Sequence, residues 1–175
     1  MPPTADPHDL ARLVTDVPDF PEPGIIFRDV TPLLADPAVF GQVVRELADG
    51  ADGVDAVVGI ESRGFILGAP VALHLHAGFV PARKAGKLPG ETVSIAFDLE
   101  YGQAVLELQA GAITPGQRVL IVDDVLATGG TAAATAALVA RLGGEVVGFR
   151  FLIELLALEG GARLNGHPHR ALLRY

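Results

Sequence analysis

The sequence predicts an α/β fold with a doubly wound, mainly parallel central sheet that is flanked by helices. Two observations lead to this fold class. Short apolar segments typical of strands alternate along the chain with longer segments of helical periodicity. The clearest strand, residues 118–125, is a continuous apolar run, which is typical of a parallel strand covered on both faces. Sheets of this kind bind ligands at the carboxyl ends of their strands.

Composition limits the kinds of protein to consider. The 175 residues suit a single domain, and the absence of cysteine excludes disulfides and thiolate metal sites. A net charge of −8 argues against nucleic acid bound through a broad basic face. The first residues lack the basic and apolar regions of a signal peptide, and no apolar stretch suits a membrane span. We therefore expect a cytoplasmic protein without a nucleic-acid or membrane partner.

The first third of the chain predicts two helices and one strand. Residues 10–17 have the spacing of a short amphipathic helix, which ends at the proline-rich stretch 18–24. Residues 25–37 are expected to be extended. The spacing of apolar residues over 38–51 predicts a longer helix, and 54–60 reads as a buried strand.

The remainder alternates more regularly. The sequence Glu-Ser-Arg-Gly at 61–64 ends the first central strand, a helix is predicted over 65–76, and a strand over 78–84. Residues 85–104 predict a long loop or a β-ribbon, with 104–109 as the returning strand. After the strand 118–125, we expect a helix over 131–144 that is closed by glycine, and a strand over 145–155.

The string VDDVLATGGT, residues 122–131, carries the clearest functional signal. It passes from a strand through a glycine turn into a helix, so that the N–H groups of residues 128–131 would point into a concavity at a helix N-terminus. That arrangement favours a phosphate. The carboxylates of Asp123 and Asp124 suit sugar hydroxyls, which they would hold directly or through a divalent metal. The alternative is a plain turn followed by a helix cap.

Basic residues gather at two other predicted strand ends. The two lysines of the chain, Lys84 and Lys87, follow Arg83 directly after one strand, and Arg63 follows another. Arginine binds phosphate oxygens through its planar fork, and lysine binds them as a point charge. A solvated surface run is the alternative for each residue taken singly.

These motifs resemble those of the type I phosphoribosyltransferases. The string 122–131 resembles their binding motif for phosphoribosyl diphosphate (PRPP). Residues 18–34 look like the base-binding hood of the adenine-specific members, 61–65 like their pyrophosphate loop, and 152–155 like the strand end that lines the base. Residues 83–90 and 99–109 look like the two sides of their lid. The resemblance thus implies one domain over 1–175, with a hood at about 15–35 and a flexible β-ribbon lid at about 85–107.

The resemblance also implies a reaction. Adenine and PRPP would give AMP and pyrophosphate in purine salvage, with Mg²⁺ held mainly by PRPP rather than by protein side chains. The protein would be a homodimer in which Arg83 reaches the partner's active site. One alternative keeps the reaction with another purine, namely hypoxanthine, guanine or xanthine. A PRPP-sensing regulator is less favoured, because residues 1–50 are rich in proline and acidic residues and contain no basic recognition helix.

Roles for individual residues follow from the same resemblance. In catalysis, Glu100 would act as acid or base near the purine N7, Tyr101 would close over the site, and Arg63 would meet the pyrophosphate. Main-chain groups of Ile26 and Arg28 would contact adenine. The ring would lie between Phe27 and Leu155, although either side chain could instead belong to the core.

The pyrophosphate loop is expected to contain a non-proline cis peptide near Glu61–Ser62. The residues expected to bind PRPP divide into three groups. The ribose hydroxyls would be held by Asp123 and Asp124. The 5′-phosphate would be held by Ala127, Thr128, Gly129, Gly130 and Thr131, and the pyrophosphate also by Arg83, Lys84 and Lys87.

Overall fold

A computed structural model of the chain describes residues 10–98 and 103–175. Within them, the strands are β1 (Thr15–Pro18), β2 (Ile26–Asp29), β3 (Ala56–Ile60), β4 (Gly78–Lys84), β5 (Thr92–Asp98), β6 (Gln103–Gln109), β7 (Arg118–Leu126), β8 (Glu145–Glu154) and β9 (His169–Arg174). The helices are α1 (Thr31–Ala35), α2 (Pro37–Ala48), α3 (Arg63–His74) and α4 (Gly130–Arg141), and two 3₁₀ turns cover Leu156–Leu158 and Gly160–Leu164.

The central sheet has seven strands in the order β5-β6-β4-β3-β7-β8-β9. Strands β4, β3, β7, β8 and β9 run parallel, whereas β6 is antiparallel to both β4 and β5. The predicted mainly parallel sheet with flanking helices is therefore confirmed. Because β3, β4, β7 and β8 are parallel, the segments that follow them meet at one edge of the sheet.

Alternating side chains of the central strands fill a core on each face of the sheet. Val57 of β3 packs into a cluster with residues of α2 and α3, such as Leu47 and Leu67. Its neighbour Val58 points to the opposite face and packs with Leu138 of α4. All five side chains are at most 1% exposed, and burial of each stabilises the fold by about 1.5–3 kcal/mol. This two-sided burial explains the continuous apolar run of β7.

Two predictions for the N-terminal part were wrong. Residues 15–18 form β1, which pairs antiparallel with β2, instead of continuing a helix. Cross-strand pairing overrides the weak helical preference of so short a segment. The chain over 31–35 is helical rather than extended. Its start is fixed because Asp29 accepts a hydrogen bond from the Thr31 N–H at 2.9 Å, and because Pro32 suits the first helical turn.

The described part of 85–104 adopts the β-ribbon alternative, since β5 and β6 pair antiparallel over 92–98 and 103–109. The predicted returning strand is confirmed. Strand β9 had no counterpart in the sequence predictions; it pairs parallel with β8 at the other end of the sheet. In the described ranges 10–98 and 103–175, none of the helices combines the length and apolar character that crossing a bilayer requires.

Candidate active site

The predicted functional segments gather at the carboxyl edge of the sheet. Residues 61–64 follow β3, residues 85–87 follow β4, and residues 127–131 follow β7. These three connections are neighbours because β3 pairs with both β4 and β7. The fold therefore brings together the acidic, basic and glycine-rich motifs, which are far apart in sequence.

Residues 127–131, which we call the glycine loop, lead from β7 into α4. Gly129 has φ +79°, a conformation that favours glycine, and it is the residue at which the helix begins to turn. The first turn of α4 contains no acidic residue, and none of the described side chains caps it. The loop, Asp123, Val125 and Ala132 line a concavity of about 310 Å³. A helix N-terminus with this geometry attracts an anion through its N–H groups and its dipole.

The glycine loop is supported from behind by the turn that begins at Gly160. A Cβ atom at Gly129 would collide with the carbonyl oxygen of Gly160, and a Cβ at Gly160 would collide with that of Ala127. The two backbones are thus in direct contact. This contact fixes the loop in place without any side chain, and sequence reasoning missed it. The glycine pair 160–161, shortly after a predicted strand, was the available signal.

Two adjacent carboxylates stand beside the loop. Asp124 is 8% exposed, and its N–H donates to Oδ1 of Asp123 at 2.8 Å. Burial, together with the charge of Asp124, raises the pKa of Asp123 well above its ordinary value. Gly64 at the start of α3 lies so close that a Cβ there would be 2.8 Å from Asp123 Oδ1. The pair is therefore held rigidly between β7 and α3.

Arg63 joins the acidic pair to the N-terminal hairpin. Its Nη2 atom lies 2.7 Å from Oδ2 of Asp124, and its guanidinium lies 4.8 Å from the centre of the Phe27 ring. The Oδ2 atom is buried, and among the described residues no donor meets it with hydrogen-bond geometry. Arg63 thus contacts both the predicted sugar-binding residue and the predicted base-binding residue.

Glu61, Arg83 and Lys87 form what we call the charged cluster. Glu61 Oε1 lies 2.9 Å from the Lys87 ammonium, and Oε2 lies 3.1 Å from Arg83 Nε. Oε2 also accepts from the Lys84 N–H at 3.3 Å, and Arg83 donates to the Lys87 carbonyl at 3.1 Å. Two of the predicted pyrophosphate ligands therefore pair with a carboxylate of the same chain. Sequence reasoning missed Glu61, although it begins the quoted Glu-Ser-Arg-Gly motif.

The backbone of this motif has the expected form, because the Glu61–Ser62 peptide is cis. The Glu61 N–H donates to the Ala82 carbonyl at 3.0 Å, which extends the pairing of β3 with β4 by one residue. The carboxylate of Glu61 thus projects from an anchored backbone.

The predicted base-binding residues lie on β2 and at the end of β8. Phe27 contacts Phe20 edge to face, with ring centres 5.1 Å apart, and Ile26 is 54% exposed. Arg28 pairs with Asp16 across the hairpin, and its guanidinium lies 4.2 Å from the centre of the Tyr175 ring. These contacts engage the side chain of Arg28, whereas the predicted contacts with adenine are made by its backbone groups.

Leu155 follows β8 and packs partly on the core, while its N–H donates to the Leu126 carbonyl at 2.9 Å. The catalytic residues Glu100 and Tyr101, which the family resemblance predicts, lie outside the described residues. In the part of the chain that is described, no three His, Asp or Glu side chains converge to form a metal site.

Comparisons with known proteins lead to the family that the sequence motifs resemble. Residues 33–163 match the model of the phosphoribosyl transferase domain family. The chain is 57% identical to the adenine phosphoribosyltransferase of Myxococcus xanthus over 169 residues. This aligned region covers 95% of this chain and 92% of that protein. The crystal structure of the Rhodothermus marinus adenine phosphoribosyltransferase is similar, with a TM-score of 0.92, 52% identity, and coverage of 97% and 98%. The Saccharomyces cerevisiae enzyme, complexed with an imino-altritol bisphosphate and adenine, has a TM-score of 0.90, 40% identity, and coverage of 95% and 98%.

Proposed function

The chain belongs to the phosphoribosyl transferase domain family, and we propose that its sheet edge binds PRPP while the N-terminal hairpin binds adenine. The reaction transfers the phosphoribosyl group of PRPP to adenine and yields AMP and pyrophosphate, a step of purine salvage. The single observation that carries the site assignment is the contact of Arg63 with both Asp124 and Phe27. It links a sugar-binding carboxylate to an aromatic surface for a base.

PRPP binding begins at the glycine loop. Its N–H groups donate to the 5′-phosphate, and the hydroxyls of Thr128 and Thr131 add donors. Asp123 and Asp124 accept hydrogen bonds from the ribose 2′- and 3′-hydroxyls. Since the acidic pair lies near the end of β7 and the loop follows this strand, one rigid strand orients both ends of the ribose phosphate.

Bond exchange at the anomeric carbon releases the diphosphate. The bond from this carbon to the diphosphate oxygen breaks as a bond to N9 of the N7–H tautomer of adenine forms, and the N7 proton passes to a carboxylate. Charge develops on the departing diphosphate, so cations nearby lower the barrier. We assign that role to Arg63, Arg83, Lys84 and Lys87. Glu100 would take part in proton transfer near N7, and Tyr101 would help the lid (85–107) exclude water.

Adenine recognition requires groups that distinguish a 6-amino from a 6-oxo substituent. A backbone carbonyl accepts from the amine, and a backbone N–H donates to N1. We propose that Ile26 and Arg28 of the hood (15–35) supply these groups, with the ring between Phe27 and Leu155. The position of Arg63 over Phe27 supports this proposal, because it brings the diphosphate side of the site to the edge of the base pocket.

We propose Mg²⁺ as the cofactor, held mainly by PRPP oxygens. The residues fit such an ion, because Asp124 Oδ2 is a buried carboxylate oxygen that is paired with Arg63 at 2.7 Å but accepts no hydrogen bond of good geometry from the described residues. Bound Mg²⁺ would neutralise part of the diphosphate charge. The cytoplasmic location expected from the sequence stays a prediction.

Product formation tests this function. Purified protein with PRPP and Mg²⁺ is expected to form AMP from adenine, and little or no nucleotide from hypoxanthine, guanine or xanthine, since those bases carry a 6-oxo group. Faster turnover with any of the three would contradict the assignment of Ile26 and Arg28. Retardation of DNA in a gel-shift assay would instead support the regulator.

We also propose that the protein is a homodimer in which Arg83 reaches the partner's site. Leu73 and Ile66 of α3 and Phe79 of β4 are 77%, 45% and 36% exposed, which supports an apolar interface on this side of the molecule. Each copy could then lend a cation to the other. Mixing the impaired Arg83→Ala and Asp124→Asn proteins tests this arrangement. Shared sites predict recovered activity, because some mixed dimers hold one site with neither substitution. No recovery despite subunit exchange would assign Arg83 to its own chain's site.

A further inference from the structure

Glu61 has no role in the reaction described above, yet its carboxylate contacts three groups of the proposed diphosphate-binding segment. Its carboxylate is 9% exposed and meets Lys87 at 2.9 Å, Arg83 at 3.1 Å and the Lys84 N–H at 3.3 Å. All three partners belong to residues to which the proposed function assigns diphosphate binding, and two of them, the side chains of Arg83 and Lys87, are the assigned cations themselves. A buried carboxylate therefore satisfies the same donors that the substrate needs.

The two sides of the charged cluster differ in their freedom to move. Glu61 is anchored, since its N–H is bound to Ala82 and its side chain is almost fully buried. The side chains of Arg83 and Lys87 are 34% and 49% exposed, and long exposed cations change rotamer easily. An arriving diphosphate can therefore attract the two cations, while the carboxylate stays where it is.

Glu61 is also ionised when the site is empty. Burial raises the pKa of its carboxyl, but hydrogen bonds from Lys87, Arg83 and the Lys84 N–H outweigh burial, so that the pKa is lowered overall. A diphosphate that enters thus meets a fixed negative charge next to the cations it needs. Like charges at such short distances repel strongly where water is excluded.

We propose that Glu61 is a positioning residue that holds Arg83 and Lys87 ready when no diphosphate is bound. It competes with the diphosphate for both cations, for Lys87 at its own chain's site and for Arg83 at the site that this arginine reaches. This inference rests on the proposed function. The competition weakens binding of the substrate and of the pyrophosphate product alike. Its benefit is turnover, because a product held by four unopposed cations would leave slowly. Glu61 therefore weakens the binding of PRPP and speeds the release of pyrophosphate.

Titration of Mg²⁺-pyrophosphate into the full chain tests the proposal. Glu61→Gln keeps the size and an acceptor oxygen but removes the charge. We expect its Kd for pyrophosphate to fall about tenfold, which corresponds to about 1.4 kcal/mol of relieved repulsion. In steady-state assays we expect KM for PRPP to fall and kcat to fall with it. A purely structural role predicts the opposite split, with weaker binding and a higher KM.

Glu107→Gln is the matched control. Glu107 lies opposite Arg83 in the pairing of β4 with β6, and its carboxylate accepts from the Gly86 N–H at 3.1 Å instead of from a cation. The same loss of one charge is expected to change the Kd for pyrophosphate less than about twofold, because exposed charges are screened. An equal effect of both substitutions would overturn the proposal in favour of a general change in potential.

Three further outcomes are decisive. Equal or weaker pyrophosphate binding by folded Glu61→Gln protein would overturn the proposal. If that variant does not fold, Glu61→Asp replaces it. The aspartate keeps the charge but is shorter by one methylene, so its carboxylate lies farther from the two cations. Tighter pyrophosphate binding than that of the wild-type protein is again expected. Failure of the wild-type protein to bind pyrophosphate or to make AMP would instead contradict the proposed function. The wild-type measurement therefore separates the two failures.

Discussion

The glycine loop and the charged cluster lie at the same sheet edge but are built on opposite principles. The loop takes its shape from backbone, with Gly129 at φ +79° pressed against the backbone of Gly160. The cluster takes its shape from side chains, and its two cations remain partly exposed. The loop offers N–H groups in fixed positions, whereas the cations are already paired with Glu61.

This difference corresponds to the fates of the two phosphate groups in the reaction. The 5′-phosphate stays attached to the ribose from PRPP to AMP, so that a rigid cradle serves both substrate and product. The pyrophosphate must be bound, stabilised as it departs and then released. Preorganised dipoles suit the first task, and exchangeable ion pairs suit the second. Substitutions in the two regions should therefore fail in different ways.

The largest effect is expected from Gly129→Ala. An added Cβ would be strained by the positive φ and would collide with the carbonyl of Gly160. The atoms that it would meet belong to backbone, so no side chain can move aside. We expect kcat/KM for PRPP to fall at least about 100-fold, since displaced N–H groups no longer converge on the 5′-phosphate. Steady-state kinetics with adenine in excess measures this change.

Gly111→Ala is the matched control for that experiment. Gly111 shows no atom within 4 Å of an added Cβ and no positive φ. Its kinetics and melting temperature are expected to stay near those of the wild-type protein. Wild-type activity of Gly129→Ala would mean that the loop is as adaptable as the charged cluster, and the contrast between the two regions would fail.

A smaller loss is expected from Asp124→Asn. This substitution removes the charge paired with Arg63 at 2.7 Å and weakens an acceptor for the ribose. Loss of a charged hydrogen bond typically costs about 1.5–3 kcal/mol, which corresponds to a drop of about 10–100-fold in kcat/KM. Circular dichroism should show an intact fold, because the residue ends a strand outside the apolar core. If melting temperature and activity decline together, Asp124 is a structural residue.

Much of this site was predictable because its motifs are local. The strand, the acidic pair and the glycine turn of 118–131 are continuous in sequence, and strand periodicity fixed their place at the sheet edge. The basic residues were also found, since both groups directly follow predicted strands. The non-local contacts were not predictable. Nothing in the sequence near Glu61 indicates that its carboxylate meets Lys87, which is 26 residues away.

The N-terminal errors have the same physical origin. Residues 15–18 carry a helical pattern too short to outweigh pairing with β2, a partner that sequence periodicity does not identify. The contact between Gly129 and Gly160 likewise joins backbones separated by a helix and a strand. Local patterns thus predict what each segment is, whereas its tertiary partner decides what it finally contacts.

The smallest effect is the change in stability of Asp123→Asn, which is measured apart from the loss of activity expected when a ribose ligand is replaced. Burial and the neighbouring Asp124 raise the pKa of Asp123 above its ordinary value of 3.8. Between the unfolded and the folded pKa, the folded state therefore binds more protons than the unfolded state. Stability must fall as pH rises through this window, and the loss is complete above the folded pKa.

The asparagine variant lacks this titration and keeps the Oδ1 acceptor for the Asp124 N–H. We expect it to unfold at the same temperature as the wild-type protein near pH 3.8 and to become the more stable protein as pH rises. The difference should grow as pH rises from the unfolded to the folded pKa and stay constant above it, because only the wild-type protein loses the extra proton. Thermal melts from pH 4 to pH 8 measure it, with Asp55→Asn on the opposite edge as the control. A constant difference across this range would mean that Asp123 is not strained by its neighbour. The acidic pair beside the glycine loop would then be no more destabilised by its charges than Glu61 is in the charged cluster.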